Sequence, residues 1–273
     1  MLEVKLRTAP EIRSVFLREL TGVEERLASM TGPGVAMQLI ERLLMDAHGA
    51  PLGPEAAWGM SVADRDRAIA SLYRHCFDDL IESRLECGGC GKAFEISFSL
   101  ERLIESLDHD ADEAHGTLGI SGPEAGGIFR LRDGTRFRPP TTADERLAAE
   151  MAPARRADEL LRRALVDGAP DGGVDEALRE RLEQALEAVA PVISFPMPAR
   201  CAHCGVEQEA DFDIVRYFLA ALARERPLLA REVHALARAY HWSFDEIMRL
   251  SRGERHTHVE LVETERGTLE PDE

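Results

Sequence analysis

The sequence predicts an α+β fold that is mainly helical and contains one small β-rich module. Two observations predict the module. A Cys-x-x-Cys-Gly motif occurs twice in the 273 residues, and apolar and polar residues alternate with a period of two from Phe94 to Phe98, after the first copy. A third observation predicts helices, because apolar residues recur at helical spacing elsewhere, as at 214–222 and 233–240.

The charge balance and the absence of long apolar stretches argue against a nucleic-acid binder and a membrane-spanning protein. Asp and Glu (50) outnumber Lys and Arg (33) for a net charge of −17, whereas a general nucleic-acid binder needs a broad cationic surface. Residues 1–7 lack a signal-peptide core, and no stretch approaches the roughly 18 apolar residues that cross a bilayer. We therefore expect a cytoplasmic protein with no membrane partner, and the charge argues against nucleic acid as its partner.

Five regions are predicted in chain order. They are an N-terminal mainly helical region at 1–82, a first Cys-x-x-Cys knuckle with a β-hairpin at 83–140, a helical insertion at 141–190, a second knuckle packed against the first at 191–214, and a C-terminal helical region with a tail at 215–273. The insertion is predicted to hold helices at 142–150, 154–166 and 174–189, with a Gly-rich loop at 167–173 between the last two.

Capping signals place several helix starts. The predicted caps are Ser61, Ser99, Thr142 with Glu145, Ser243 with Glu246, and Ser251 with Glu254. The helix after Ser99 is predicted to end at Leu107, and the acidic, Gly-rich residues 108–127 are predicted to form a solvated loop, as is the Gly/Pro-rich stretch 48–60.

A hairpin is predicted at 128–138 around Asp133-Gly134. A three-residue connection would pair Leu131 with Phe137 and Arg132 with Arg136. One face would then carry four arginines, which are Arg130, Arg132, Arg136 and Arg138. A solvated face is the favoured interpretation, and an anchor for an acidic partner is the alternative.

The strongest feature is a repeat with an offset of 114 residues. Cys87-x-x-Cys90-Gly91 matches Cys201-x-x-Cys204-Gly205, and the apolar and acidic residues that follow also match. A tight turn followed by Gly lets two thiolates approach one ion, so two knuckles supply a closed, tetrahedral set of four. We therefore predict one structural Zn²⁺ per chain, held by Cys87, Cys90, Cys201 and Cys204 in a zinc-ribbon-like module.

Two alternatives to zinc stay open at this stage: metal-free packed turns and a redox-active dithiol. Neither pair lies at the strand-to-helix junction of a βαβ unit, which argues against a thioredoxin-like dithiol. A usual ribbon separates its knuckles by about 15–20 residues, so this arrangement requires a large insertion. His203 is predicted to be a bystander because Gly89 is its counterpart, and Cys76 to be a buried thiol.

Motifs typical of enzymes are missing from the sequence. It has no Walker loop, no dinucleotide-binding glycine motif after a strand, no His-Glu-x-x-His and no nucleophile elbow. A closed four-thiolate site also leaves no open coordination position. We therefore expect a non-catalytic protein.

Four stretches carry a resemblance to a known family. They are the two knuckles, the segment 138–144 (RPPTTAD) and the segment 232–243 (EVHALARAYHWS) followed by Ile247. Together they are similar to the baseplate-hub assembly chaperones of T-even phages and their relatives in bacterial contractile injection systems. The resemblance covers roughly residues 60–265. It implies a cytoplasmic bacterial assembly factor whose partner is a baseplate hub or tape-measure protein.

A mechanism for such a factor can be outlined from the residues. Zinc would hold the knuckles together, and the C-terminal helices would present an apolar face to a partner helix. Tyr217 and Trp242 are the candidate anchors, since aromatic residues dominate interface energetics. Phe218 and Tyr240 are further candidates for anchors, but core packing is favoured for them. The competing hypotheses are a zinc-ribbon module that binds nucleic acid through the four arginines, and a thiol-redox protein.

Overall fold

The structure, a computed structural model, describes residues 1–9, 12–27, 33–168 and 173–267. Helices predominate in these ranges, and the sheets there are small and antiparallel, as the sequence predicts. The predicted loop at 167–173 and the predicted tail lie mostly outside the described residues. None of the helices in the described ranges has both the length and the apolar character needed to span a bilayer.

The N-terminal region combines a three-stranded sheet with four helices. Its elements are β1 (Leu2–Lys5), β2 (Ser14–Leu17), α1 (Gly22–Leu27), α2 (Pro33–Leu43), β3 (Leu44–Met45), α3 (Gly53–Gly59) and α4 (Val62–Phe77). Ser61 caps α4 as predicted, because its hydroxyl accepts a hydrogen bond from the Asp64 N–H. The predicted loop at 48–60 contains α3, which starts with a proline in its first turn.

The first half of the central region is a hairpin followed by a long helix. Its elements are β4 (Leu80–Glu86), β5 (Ala93–Ser99) and α5 (Leu100–Leu118). Ser99 caps α5 as predicted, since its hydroxyl accepts from the Arg102 N–H.

The acidic stretch predicted as a loop is part of α5, which runs eleven residues beyond Leu107. Two arginines from earlier in the chain pair with one face of this part of the helix. Arg7 pairs with Asp108 (3.1 Å) and Asp112 (2.5 Å), and Arg67 pairs with Asp108 (2.5 Å). The prediction of a loop was wrong because the arginines that pair with these carboxylates are distant in sequence and come close only in the folded chain.

The predicted hairpin exists as part of a three-stranded sheet, but its register differs. The strands are β6 (Ser121–Glu124), β7 (Ile128–Arg130) and β8 (Arg136–Phe137). Phe129 lies opposite Phe137 and Arg130 opposite Arg136, so the connection is five residues long. The N–H of Leu131 donates to the Thr135 carbonyl (2.9 Å), which places the last backbone pair inside the turn.

The helical insertion follows the predicted order closely. Its helices are α6 (Thr142–Ala149), α7 (Pro153–Ala164) and α8 (Glu176–Val189). The capping box at α6 is formed by Thr141 and Asp144, one residue before the predicted pair. The hydroxyl of Thr142 instead donates to the carbonyl of Ala57 (3.0 Å) and so holds α6 against α3.

The chain then enters a second hairpin and the C-terminal helices. These elements are β9 (Ser194–Arg200), β10 (Glu207–Asp213), α9 (Ile214–Arg224), α10 (Arg226–Tyr240), α11 (Phe244–Arg249) and α12 (Arg252–Gly267). The predicted Ser243–Glu246 capping box is confirmed, and Ser251 and Glu254 exchange the two hydrogen bonds of a capping box.

Four buried apolar clusters hold these elements together. The largest joins the N-terminal helices to α9, so that Leu39 and Ile69 share a core with Ile214 and Phe218. A second cluster packs α5, α7 and α8 around the β6–β8 sheet, and a third lies between the two hairpins. The fourth closes α10, α11 and α12 on one another.

Candidate metal centre

The sequence repeat is also a structural repeat. Adding 114 to the bounds of β4 and β5 gives the bounds of β9 and β10, and α5 and α9 begin at equivalent residues. The pairing registers are equivalent too, since Leu80 pairs with Ser99 and Ser194 with Asp213. Each copy is therefore a hairpin with a Cys-x-x-Cys turn at its tip and a helix after its second strand.

The two turns have the same backbone geometry. In the first, the Cys87 N–H donates to the Lys92 carbonyl (3.0 Å), and the Gly91 N–H donates to the Cys87 carbonyl (2.9 Å). Cys201 and Gly205 make the matching bonds in the second turn. Both glycines have positive φ, 68° and 75°, a conformation that a side chain rarely adopts. Glycine after the second cysteine is thus what lets each turn curl towards its sulfurs.

The two turns bring four thiols into one cluster. All four Sγ atoms lie within 4.8 Å of one another, with Cys87 and Cys204 at 3.5 Å and Cys90 and Cys201 at 3.9 Å. A tetrahedral ion bonded to four sulfurs at about 2.3 Å requires sulfurs about 3.8 Å apart. A disulfide requires about 2.05 Å, and all four thiols are free. These cysteines can therefore bind a metal ion together.

Backbone N–H groups prepare the first cysteine of each turn for ionisation. The N–H groups of Cys90 and Gly89 hydrogen-bond the Cys87 sulfur and lower the pKa of that thiol to about 6. Burial opposes ionisation of Cys201, but the N–H groups of Cys204 and His203 lower the pKa of its thiol below the ordinary value. Thiolate is the form that binds metal, so these hydrogen bonds favour the binding of a cation.

The second cysteine of the second turn behaves differently. The Val206 N–H favours its thiolate, but the sulfurs of the other three cysteines and burial together outweigh this effect and raise the pKa of Cys204 to about 12. Four negative charges within this small volume repel one another, and only a bound cation removes the repulsion. Loading a metal would therefore release protons from the cluster.

The cluster rests on a small apolar core between the hairpins. Cys87 and Cys201 are buried there with Phe94 and Ala199, whereas Cys90 and Cys204 lie nearer the surface. Val206 fills the space beside Gly89, where a Cβ would meet its methyl group at 3.1 Å. One side of the site is thus buried and the other faces solvent.

Two polar side chains of the second copy bond the backbone of the first. Gln208 accepts from the Gly88 N–H (3.1 Å) and donates to the Glu86 carbonyl (3.1 Å). His203 donates through Nε2 to the Ala93 carbonyl (3.0 Å) and is outside the cysteine cluster, as predicted. Gln208 was missed in the sequence, although it stands where its repeat partner Phe94 is apolar, and that break in the pattern marks it.

The remaining cysteine and the candidate aromatic anchors lie elsewhere. Cys76 packs against the main core, and burial raises the pKa of its thiol to about 12. The Tyr217 hydroxyl accepts from the Glu82 N–H (3.0 Å) and donates to the Glu82 carbonyl (2.6 Å), which ties α9 to the first hairpin. Trp242 is half-buried and stacks on Tyr240 at 4.7 Å.

Each of the four arginines of the predicted face contacts a separate partner. Arg130 pairs with Glu124, Arg132 donates to the Thr117 carbonyl, Arg136 pairs with Asp167, and Arg138 pairs with Asp144. Three of the four charges are therefore matched by a carboxylate of the same chain.

Comparison with known proteins finds no matching family model, no similar curated protein and no similar solved structure.

Proposed function

We propose that the chain is a non-catalytic assembly factor in which one structural zinc ion joins two distant segments. The observation that carries this proposal is the cluster of four cysteine sulfurs within 4.8 Å. Four thiolates around one ion form the closed ligand set typical of structural zinc. Such an ion would link residues 87–90 to residues 201–204 across the helical insertion, as in a zinc ribbon.

The assembly partner is proposed from the resemblance to baseplate-hub assembly chaperones. The segments that carry the resemblance hold the fold in place here: Asp144 caps α6, and Leu236 lies in the C-terminal core. These residues therefore stabilise the chain's own fold and do not form an exposed binding motif. The support for this partner is the resemblance itself. The proposed partner is a baseplate hub or tape-measure protein of a contractile tail.

A zinc-ribbon module for nucleic acid is the second candidate, and the structure gives it less support. Its anchor would be the four arginines, three of which pair with carboxylates. The net charge of −17 also opposes approach to phosphates. Retention on DNA or RNA that weakens steeply with salt would favour this candidate over the assembly role.

Metal content and thiol state of the purified protein test whether the four cysteines hold a structural zinc ion. We expect one zinc per chain, and four thiols that become reactive only after chelation. Iron in the site would instead indicate electron transfer, since four thiolates also hold iron. A metal-free protein with disulfide-linked pairs would favour the thiol-redox hypothesis.

The assembly role is tested by co-expression with hub and tape-measure proteins from a contractile tail. A defined complex with one of them, lost when the four cysteines are replaced by serine, would support it. Absence of any such complex from a zinc-loaded, folded chain would contradict it.

A further inference from the structure

A groove of ≈520 Å³ lies between α5 and α8, away from the cysteine cluster in sequence. Its floor is apolar and consists of Leu107, Ala111, Ala114, Leu118, Ala188 and Pro191. From Leu107 to Leu118 the floor follows eleven residues of helix, which is roughly 16 Å at 1.5 Å per residue. That length matches about three turns of a helix laid along it.

The rim of this groove is acidic. Asp110 and Glu113 of α5 and Glu187 of α8 line it, and no Lys or Arg is among the lining residues. None of the three forms an ion pair or hydrogen bond with another described residue. Arg132 donates to the Thr117 carbonyl at the C-terminal end of α5.

The other acidic face of α5 differs from the rim of the groove because its carboxylates have arginine partners. Asp108 and Asp112 are paired with Arg7 and Arg67, so the protein's own cations neutralise that face. The carboxylates beside the groove have no such partner among the described residues. The same helix thus has one acidic face matched inside the fold and another left for an external cation.

We propose that this groove binds a basic amphipathic helix of a protein partner. Apolar residues at i, i+3 or i+4, and i+7 of that helix would lie on the floor, and its Lys or Arg residues would face Asp110, Glu113 and Glu187. In the C-terminal helices, Leu236, Ile247 and Val262 are buried against one another. This inference deepens the proposed assembly role and rests on it.

A fluorescein-labelled, 18-residue peptide of Leu and Lys in amphipathic helical order is the probe. Its binding is measured by fluorescence anisotropy, and a peptide of the same composition in scrambled order keeps the charge but loses the apolar stripe. We expect the ordered peptide to bind at least tenfold more tightly than the scrambled one, with affinity that falls as salt rises.

A matched pair of variants locates the site. Glu113→Lys reverses a charge at the groove, whereas Glu105→Lys makes the same change on the opposite side of α5, two and a half turns from Ala114. We expect Glu113→Lys to raise the dissociation constant about tenfold and Glu105→Lys to change it less than about twofold. Ala114→Trp, which fills the floor without changing charge, should also weaken binding.

Equal loss of affinity in Glu113→Lys and Glu105→Lys would overturn the groove as the site, and so would equal binding of the two peptides. If Ala114→Trp does not fold, the charge pair still decides. Failure of the groove is separable from failure of the assembly role. A hub or tape-measure complex whose dissociation constant is unchanged by Glu113→Lys would refute the groove alone, whereas peptide binding at the groove with no such complex would refute the assembly role alone.

Discussion

Phe98 and Phe212 occupy equivalent positions in the two hairpins, 114 residues apart, and pack edge to face with ring centroids 5.2 Å apart. Equivalent residues that touch each other are typical of a twofold relation. The sulfurs obey the same relation, because the contact of Cys87 with Cys204 is mirrored by that of Cys201 with Cys90. The two copies therefore pack face to face about an approximate twofold axis, with the cysteine cluster at the tips of the hairpins.

Replacement of one cluster cysteine is expected to abolish stable metal binding. Cys90→Ser leaves three thiolates and a poorer ligand, so we expect affinity for zinc to fall at least about 100-fold. Elemental analysis after dialysis against a weak chelator measures the loss. Cys76→Ser is the matched control, since Cys76 lies outside the cluster. Full zinc retention by the Cys90 variant would contradict the four-ligand site.

The fifth cysteine is expected to be unreactive in the folded chain. Burial raises the pKa of Cys76 to about 12, so at pH 8 its thiol stays protonated and inaccessible to reagents. A chromogenic disulfide reagent should count four thiols in the chelated, folded protein and five after denaturation. The Cys76→Ser variant should give four in both states. Rapid reaction of a fifth thiol in the folded wild type would refute this assignment.

The hydroxyl of Tyr217 is expected to stabilise the fold. It makes two hydrogen bonds with the Glu82 backbone, and Tyr217→Phe removes both. We expect the free energy of unfolding to fall by about 1 kcal/mol, measured by urea denaturation. Tyr240→Phe is the control, because no hydrogen bond of that hydroxyl is found among the described residues and its ring also packs against another aromatic ring. Equal effects of the two substitutions would contradict a specific role for the Tyr217 hydroxyl.

The sequence was informative where a pattern is local. Each Cys-x-x-Cys turn, the caps at Ser61, Ser99 and Ser243, and the order of the insertion helices follow from residues a few positions apart. Failures came where distant residues decide. The extent of α5 depends on Arg7 and on packing against α8, which lie about 100 and 70 residues away.

The hairpin register shows the same limit on a smaller scale. Side-chain alternation predicts correctly that Phe129 and Phe137 share a face, since a shift of two residues preserves it. It cannot distinguish a three-residue from a five-residue connection, because both satisfy the alternation. The tertiary partners of the arginines, such as Asp167 for Arg136, then separate side chains that the pattern placed together.

Acid is expected to weaken the start of α6 through Asp144. Burial opposes ionisation, but hydrogen bonds from Arg138 and Thr141 hold the pKa of this carboxyl below its ordinary 3.8. A lowered pKa contributes stability above the unfolded value, and that contribution is lost as pH falls through the folded value. We therefore expect Asp144→Asn to cost about 1 kcal/mol at pH 7, and the gap to the wild type to close below pH 3.8.

Urea denaturation of metal-loaded protein across pH 3 to 7 measures that gap. Release of the metal in acid affects wild type and variant alike, so the difference between them reports on Asp144. Asp211→Asn is the control, because Asp211 is exposed on β10 and forms no ion pair with a described residue. A gap that is constant with pH would contradict the assignment.

The C-terminal helices are expected to depend on one buried cation. Arg255 is 0% exposed and donates to Glu232 (3.0 Å), Glu25 (2.7 Å) and the Leu250 carbonyl (3.0 Å). Arg255→Ala leaves two buried carboxylates with weaker partners, and removal of one member of a buried ion pair costs about 3–5 kcal/mol. We expect a loss near the lower figure, because His256 still contacts Glu232 (2.8 Å).

The loss is measured by urea unfolding followed through tryptophan fluorescence, since Trp242 stacks within the same helical cluster. Arg162→Ala is the matched control. Arg162 likewise makes two hydrogen bonds to carboxylate oxygens, both of Glu159, but on the surface of α7, where such pairs contribute about 0–1 kcal/mol. The difference between the two variants separates the effect of burial from that of the ion pair. Similar losses in both would mean that Arg255 does not hold α12 against α1 and α10.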